Sequence, residues 1–230
     1  MFYHKKAVTL IELIFVIVII GILSAVIAPS FTRPTLVEAA NQVVSHIRYT
    51  QHLAMIDNKF NPTDEFWYRE RWKIQFGKSK TRTRHTNDEY AYSIYSDKIG
   101  FSGGHSGKPN LTEMAKNPLN SSQYLSGGFS GSLHYKDKRA MKTLNIGIKY
   151  GIRDVKFKNG CSRGTGIAFD YLGRPIRGDI SKMDKAYTIT NIINNQCKIY
   201  LCLDRPCDLT DKDKHIVIAI EPETGYTHIL

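Results

Sequence analysis

The stretch Lys5-Lys6-Ala7-Val8-Thr9-Leu10-Ile11-Glu12-Leu13, which continues as apolar residues to Ala28, decides how this chain is organised. From Val8 to Ala28 the run would be about 31 Å long as a helix, at about 1.5 Å per residue. The hydrocarbon core of a bilayer is about 30 Å thick, so the run predicts a membrane-spanning helix. Glu12 lies near the start of this run, where a carboxylate is costly and usually has a specific partner.

This segment resembles the class III signal of type IV pilins and of the pseudopilins of type II secretion. In that family a prepilin peptidase cuts after a small residue, and the fifth mature residue is Glu. A cut after Ala7 makes Val8 the first mature residue and Glu12 the fifth. The resemblance therefore implies a leader at 1–7, cleavage and methylation at Ala7 and Val8, and an assembly role for Glu12 opposite a neighbouring subunit's terminal amine. Two positions depart from the family pattern, since Ala7 replaces the usual Gly and Val8 the usual Phe.

Two other interpretations of the N-terminus are an ordinary secretory signal and a plain anchor. A secretory signal ends its apolar core with a small-x-small cleavage site. Val26-Ile27-Ala28 imitates such a site, but Pro29 would then follow the cut. A plain anchor has no use for the carboxylate of Glu12. The prepilin interpretation is therefore favoured.

Charge and orientation place the rest of the chain outside the cytoplasm. Lys5 and Lys6 precede the apolar run, so the positive-inside tendency keeps the N-terminus cytoplasmic. The sequence thus predicts a single pass through the inner membrane and a periplasmic C-terminal domain. The formal net charge of +11 falls to +9 when the leader and its two lysines are removed. Such a charge suits either simple solubility or an anionic partner.

The residues after Pro29 predict an amphipathic helix followed by a β-rich domain. Apolar residues recur at alternating spacings of three and four from Leu36 to Ala54, which is typical of a helix laid against a sheet. We expect a membrane and assembly helix at 8–30, its amphipathic continuation at 31–57, and a β-rich pilin domain at 58–230. His46 and His52 fall on different faces of the helix and are predicted to be surface residues.

The region after residue 58 has short alternating segments and no helix-strand repeat. This pattern predicts an α+β fold in which the long N-terminal helix packs on an antiparallel sheet, as in pilins. The segment 97–139, rich in Gly and Ser, is predicted to be a long loop. The predicted strands are 66–68, 72–76, 90–95, 143–150, 153–157, 166–170, 187–193, 198–203 and 216–221. Gly166 to Asp170 with Gly173-Arg174-Pro175, and the final hairpin around Gly225, are similar to segments of GspH/FimT-type minor pseudopilins.

Four cysteines, Cys161, Cys197, Cys202 and Cys207, predict two disulfides on the outer side of a membrane. Cys197 and Cys202 would flank one strand about 17 Å apart, which is too far for a bond. Cys202 and Cys207 flank a plausible tight loop, which leaves Cys161 for Cys197. Free buried thiols are the alternative.

The sequence contains no pattern that predicts an enzyme. It has no nucleophile elbow, no helical pair of histidines around a glutamate and no Cys-x-x-Cys. Four aspartates cluster in one loop, but lysines dilute their charge and the EF-hand spacing is missing, so a solvated loop is favoured over calcium. These aspartates are Asp204, Asp208, Asp211 and Asp213. No metal and no cofactor is predicted.

The resemblance implies a structural minor pilin or pseudopilin of a type II secretion or type IV pilus filament. Its partners would be other subunits, prepilin peptidase and inner-membrane lipid. A DNA-binding minor pilin used in transformation is the alternative, with Arg174 and Arg177 as candidate DNA contacts. A solvated turn is the simpler interpretation of these two arginines. The basic residues Arg153, Lys156, Lys158 and Arg163 would extend such a patch if their strand is adjacent.

Overall fold

The computed structural model describes residues 9–27, 32–79, 88–100, 103–130, 132–162 and 164–230. The chain divides into two compact units, Met1–Thr35 and Leu36–Leu230. The predicted leader at 1–7, with Ala7, and the predicted new terminus Val8 lie outside the described residues, as does Arg163.

The helices and strands follow in this order along the chain. The helices are α1 (Leu10–Ile27), α2 (Thr32–Ile56) and α3 (Ile146–Tyr150). The strands are β1 (Trp72–Lys78), β2 (Tyr90–Ser96), β3 (Lys116–Asn117), β4 (Asn120–Tyr124), β5 (Phe129–Ser130), β6 (Leu133–His134), β7 (Asp154–Asn159), β8 (Gly166–Phe169), β9 (Pro175–Arg177), β10 (Cys197–Cys202), β11 (His215–Ile220) and β12 (Thr227–Ile229).

The first unit contains α1, an 18-residue helix that is apolar on all sides. Its large apolar side chains are exposed, from 46% at Ile14 to 78% at Leu10. None of the helices in the described ranges is long and apolar enough to cross a membrane. The span predicted for 8–30 includes residues 8 and 28–30, which are not among the described residues.

In the second unit, α2 buries the apolar stripe that the sequence predicts. Its buried side chains recur at helical spacing and join the main core. These residues are Leu36, Ala39, Ala40, Val43, Val44, Ile47 and Ala54. The helix ends at Ile56, one residue before the predicted bound at 57.

Two four-stranded antiparallel sheets complete this core. The first has the order β2-β1-β8-β9 and the second the order β12-β11-β10-β7. In the first sheet Ile74 lies opposite both Ile94 and Ile167. In the second, Ile199 lies opposite Phe157 and Ile218. All of these side chains belong to the same core as α2, so the α+β prediction is supported, although with two sheets instead of one.

The outer face of the first sheet is covered by two separate layers. The hairpin layer comes from the region 103–144 and packs Met114, Leu133 and Ala140 against Tyr95 of β2. The turn layer consists of the 3₁₀ helices Trp67–Glu70 and Ile180–Lys182, whose Tyr68 and Ile180 pack against Ala168 and Ile176. The predicted loop at 97–139 is therefore partly a covering layer with short hairpins β3–β4 and β5–β6.

Three predicted strands are wrong. Residues 143–150 form a 3₁₀ turn and α3, because Asn145 accepts a hydrogen bond from the N–H of Ile148 and Gly151 ends the helix at φ 73°. Residues 66–68 lead into a 3₁₀ helix. In the segment 187–193 the hydroxyl of Thr188 donates to Asn191, and local bonding of this kind competes with strand pairing. Strand β9 is not predicted from the sequence, whereas β12 pairs with β11 across the turn at Gly225, as the resemblance to a final hairpin implies.

Candidate functional site

The start of α1 holds the carboxylate that the sequence singles out. The backbone N–H of Thr9 donates to Oε2 of Glu12 at 3.4 Å, and the N–H of Glu12 donates to Oγ1 of Thr9 at 3.3 Å. This reciprocal pair is a capping box, in which Thr9 precedes the helix and Glu12 is its third residue. The carboxylate of Glu12 thus accepts a hydrogen bond from a free backbone N–H at the N-terminus of its own helix, while the side chain stays exposed.

The surface of α1 offers no polar face. From Leu10 to Leu23 the described side chains are apolar except for Glu12. Ser24 lies within the same helix and donates its hydroxyl to the carbonyl of Ile20 at 2.7 Å. A helix that is apolar all round is stable only when other molecules or chain segments bury it. The first unit therefore presents a surface suited to burial by an external apolar partner.

The cysteines pair as the spacing predicts. Cys161 bonds to Cys197, with Cα atoms 5.0 Å apart, and Cys202 bonds to Cys207, with Cα atoms 5.6 Å apart. Cys197 and Cys202 stand at the two ends of β10, so one strand carries a bridge at each end. The first bridge fastens the chain after β7 to the second sheet, and the second closes the loop after β10.

His46 is not the surface residue that the sequence predicts. Its Nδ1 lies 2.6 Å from the hydroxyl of Tyr92, and Gln42 donates to that hydroxyl at 2.9 Å. Tyr150 in turn donates to the carbonyl oxygen of Gln42 at 2.9 Å. Burial lowers the pKa of His46 to about 4, so the imidazole is neutral at pH 7. This network joins α2 to β2 and α3.

Arg174 and Arg177, the candidate DNA contacts, both bind groups of their own chain. Nε of Arg174 donates to the buried carboxylate of Asp170 at 2.8 Å, and its guanidinium lies 5.1 Å from the ring centre of Tyr187. Arg177 donates to the carbonyl of Thr190 at 2.9 Å and to that of Gly160 at 2.7 Å. The structure gives both side chains a role in holding the turns around β9.

The other basic residues of the predicted patch are divided among different partners. Arg153 pairs with Glu89 at 2.6 Å and Lys156 with Asp154 at 3.1 Å, both on or beside β7. Lys158 is exposed on β7 and lies opposite Lys198 of β10. Arg177 lies in β9 of the first sheet and Arg174 directly precedes that strand, whereas β7 belongs to the second sheet. The strand of Lys156 and Lys158 is therefore not adjacent to β9 within one sheet.

The aspartate loop is held by lysine and by its own turns. Lys214 lies 2.9 Å from Asp204 and 3.9 Å from Asp211, while Asp208 accepts from the N–H and hydroxyl of Thr210. Within the described residues no group of three or more His, Cys, Asp or Glu side chains could hold a metal ion.

A cleft that the sequence does not reveal lies on the outer face of the first sheet, and Lys73 of β1 lies in its floor. The Lys73 side chain is only 7% exposed, with Nζ 3.7 Å from Oδ2 of the fully buried Asp97 and 4.6 Å from the ring centre of Tyr95. Burial lowers the pKa of Lys73, and the carboxylate of Asp97 opposes that shift. In the sequence, Lys73 and Gln75 alternate with Ile74 and Phe76, a pattern typical of a strand's solvent face.

Residues 3–28 match a family model described as the prokaryotic N-terminal methylation motif. No curated protein and no solved structure matches the chain. The match indicates a type IV pilin-like or pseudopilin chain, a substrate of prepilin peptidase that assembles with other pilins. It includes Ala7, Val8 and Glu12, the three positions to which the resemblance assigns processing and assembly.

Proposed function

We propose that this chain is a minor pilin or pseudopilin of the GspH/FimT type, a structural and non-enzymatic subunit of a type II secretion or type IV pilus filament. Prepilin peptidase removes residues 1–7, and the new amine of Val8 is methylated. The processed helix α1 waits in the inner membrane, with the second unit in the periplasm, and then moves into the filament core.

The observation that carries this proposal is the methylation motif at 3–28 on a helix whose described side chains are exposed and, apart from Glu12 and Ser24, apolar. Before assembly, membrane lipid would bury the apolar surface of such a helix. After assembly, the neighbouring subunits of the filament would bury it. The disulfide-bonded second unit suits an oxidising compartment outside the cytoplasm. The +9 charge of the processed chain suits contact with lipid head groups.

Glu12 has two roles in this scheme, at different stages. In the free subunit its carboxylate belongs to the capping box with Thr9. In the filament it pairs with the terminal amine of a neighbouring subunit. In an apolar core an ionised group without its partner is strongly destabilising, so this pair fixes the position of one subunit against the next.

Co-expression of the chain with a prepilin peptidase tests the proposal. Intact-mass and N-terminal peptide analysis should find a chain that begins at methylated Val8. A matched control carries Ala7→Leu, whose larger side chain should block cleavage while leaving α1 unchanged. Retention of Met1 in the unaltered chain, or a new terminus at Pro29, contradicts the proposal.

A further inference from the structure

The cleft on the outer face of the first sheet is a half-open cavity of about 370 Å³, lined by both polar and apolar groups. It lies between the hairpin layer, which contributes Gly107, and the turn layer, which contributes Asp179. Its floor consists of alternate residues of two paired strands. These floor residues are Lys73 and Gln75 of β1 and Gly166 and Ala168 of β8. The volume falls within the range of about 300–1,000 Å³ that small-molecule sites occupy.

Lys73 supplies hydrogen-bond donors to this floor. Its ammonium group has three N–H donors. Its described contacts are the long ion pair to Asp97 at 3.7 Å and the face of the Tyr95 ring. The carboxylate of Asp97 also accepts hydrogen bonds from the N–H of Gly107 at 2.7 Å and from the hydroxyl of Ser106 at 3.3 Å. A ligand oxygen above the floor would therefore complete the hydrogen bonding of a buried ammonium group.

Gln75 adds a second set of donors on the same face, because alternate residues of a strand point the same way. Its side-chain carbonyl oxygen lies beside the hydroxyl of Tyr95, whose single proton is shared between this oxygen and the carbonyl of Gly107. The NH₂ group of the amide is the remaining donor. Lys73 and Gln75 thus form a short row of N–H donors.

Two glycines that line the cleft, Gly107 and Gly166, are packed closely against other parts of the protein. A Cβ atom on Gly107 would lie 2.7 Å from Oγ of Ser181, and Gly107 has φ +69°. A Cβ on Gly166 would lie 2.8 Å from the carbonyl oxygen of Ile74. Both positions therefore require glycine, and both leave backbone rather than side chains at the cavity surface. Asp179 provides a half-exposed carboxylate acceptor at the rim.

The charges around the cleft select against an ionic ligand. The ammonium of Lys73 already faces the carboxylate of Asp97, and the carboxylate of Asp179 at the opening lies 3.9 Å from the ammonium of Lys182. An anion would meet two carboxylates, and a cation would meet the ammonium. An uncharged ligand with several hydroxyl groups can accept from Lys73 and Gln75 and donate to Asp179. We propose that this cleft binds a neutral sugar, of the size of a mono- or disaccharide.

The test uses the full chain in a detergent whose head group contains no sugar. Saturation-transfer NMR and titration calorimetry would compare glucose, galactose, N-acetylglucosamine and maltose with glucuronate and glucosamine. The expected result is saturable binding of at least one neutral sugar, tighter than that of either charged analogue. Absence of binding by all four neutral sugars, or tighter binding of glucuronate or glucosamine, overturns the proposal.

Two substitutions, each with a control, test whether the sugar binds in this cleft. Thr165, exposed at the edge of the cleft, offers a filling substitution, and T165W should abolish binding while T210W, on a distant exposed loop, keeps it. Gln75→Ala should weaken binding by about tenfold through the loss of amide donors, whereas Gln123→Ala on β4 should have no effect. Unchanged affinity in T165W or in Gln75→Ala overturns the site. Processing at Val8 is measured separately, so failure here is distinguishable from failure of the proposed filament function.

Discussion

Helices α1 and α2 differ in where the partner for their apolar surface is found. In α2 the apolar side chains from Leu36 to Ala54 form one stripe, and the two sheets of the same chain bury it. In α1 apolar side chains occur on every side, and those described are exposed. Two sheets on one side of a helix can bury an apolar stripe, but a helix that is apolar on all sides needs several neighbours to bury its surface. The second unit thus completes its own core, while α1 depends on other molecules.

Removing a buried side chain from α2 should have the largest effect on the second unit. Ile47 is fully buried, and Ile47→Ala should lower the free energy of unfolding by about 4 kcal/mol, because it creates a cavity in a close-packed core. Chemical denaturation followed by tryptophan fluorescence measures the change. Ile17→Ala in α1, where the side chain is 59% exposed, is the matched control and should leave that transition unchanged. Equal losses in the two variants would remove the distinction between the helices.

The two disulfides should stabilise the second unit unequally. Cys161–Cys197 closes a sequence separation of 36 and Cys202–Cys207 one of 5. Loop-closure entropy then gives about 4 kcal/mol for the first and about 2 kcal/mol for the second. Denaturation of the two Cys→Ser double variants under oxidising conditions measures the difference. Free thiols at these positions in the periplasmic form, found by peptide mapping, would contradict both the pairing and the compartment.

The stability of the second unit should depend on pH through His46 of α2. Burial lowers the pKa of His46 from 6.5 to about 4, so the unfolded chain binds a proton more tightly than the folded protein. The stabilisation is complete above about pH 6.5 and is lost as the pH falls to about 4. For a shift of this size the loss is about 3 kcal/mol.

Two variants isolate this contribution. His46→Gln should flatten the dependence of the free energy of unfolding on pH between about 6.5 and 4, measured by urea denaturation. His52→Gln, at an exposed position of the same helix, should retain it. A pH dependence in His46→Gln that equals that of the unaltered chain would show that His46 is not the group responsible.

The smallest expected effect concerns DNA, the alternative partner. Arg174→Ala with Arg177→Ala should lower the free energy of unfolding by about 1–3 kcal/mol, since Oδ2 of Asp170 and two carbonyl oxygens each lose a guanidinium donor. Because both guanidinium groups are engaged internally, DNA affinity over a salt series should not change. A parallel loss of affinity and of salt slope, about 0.9 per duplex phosphate contact, would instead assign these arginines to DNA binding.

The features that the sequence predicts correctly are those set by local spacing. The α2 stripe, the turns at Gly173 and Gly225, and both disulfides depend on periodicity, positive φ or chain reach, which neighbouring residues determine. Strands β1, β2, β7, β8, β10 and β11 were predicted within a few residues of their observed ends.

Two errors arise where distant segments decide the outcome. Lys73 and Gln75 have the pattern of a solvent-facing strand, but segments distant in sequence, from 103–144 and from the 3₁₀ helix Ile180–Lys182, cover that face and create the cleft. His46 looks like a surface residue until Tyr92 and Tyr150 pack against its helix. The error at 143–150 was local, because Asn145 and Gly151 are helix-capping residues whose spacing fits a single short helix.

Incorporation of Glu12 variants into filaments tests most directly the claim that α1 is completed by other subunits. Glu12→Ala should be cleaved normally but should fail to enter filaments sheared from cells that express the assembly system. Thr9→Ala removes the capping hydroxyl, and Glu38→Ala removes an exposed glutamate of α2; both should assemble. Immunoblots of the filament fraction, corrected for the amount of processed subunit, measure the difference. Normal incorporation of Glu12→Ala, or an equal loss in Thr9→Ala, would contradict an inter-subunit role for this carboxylate.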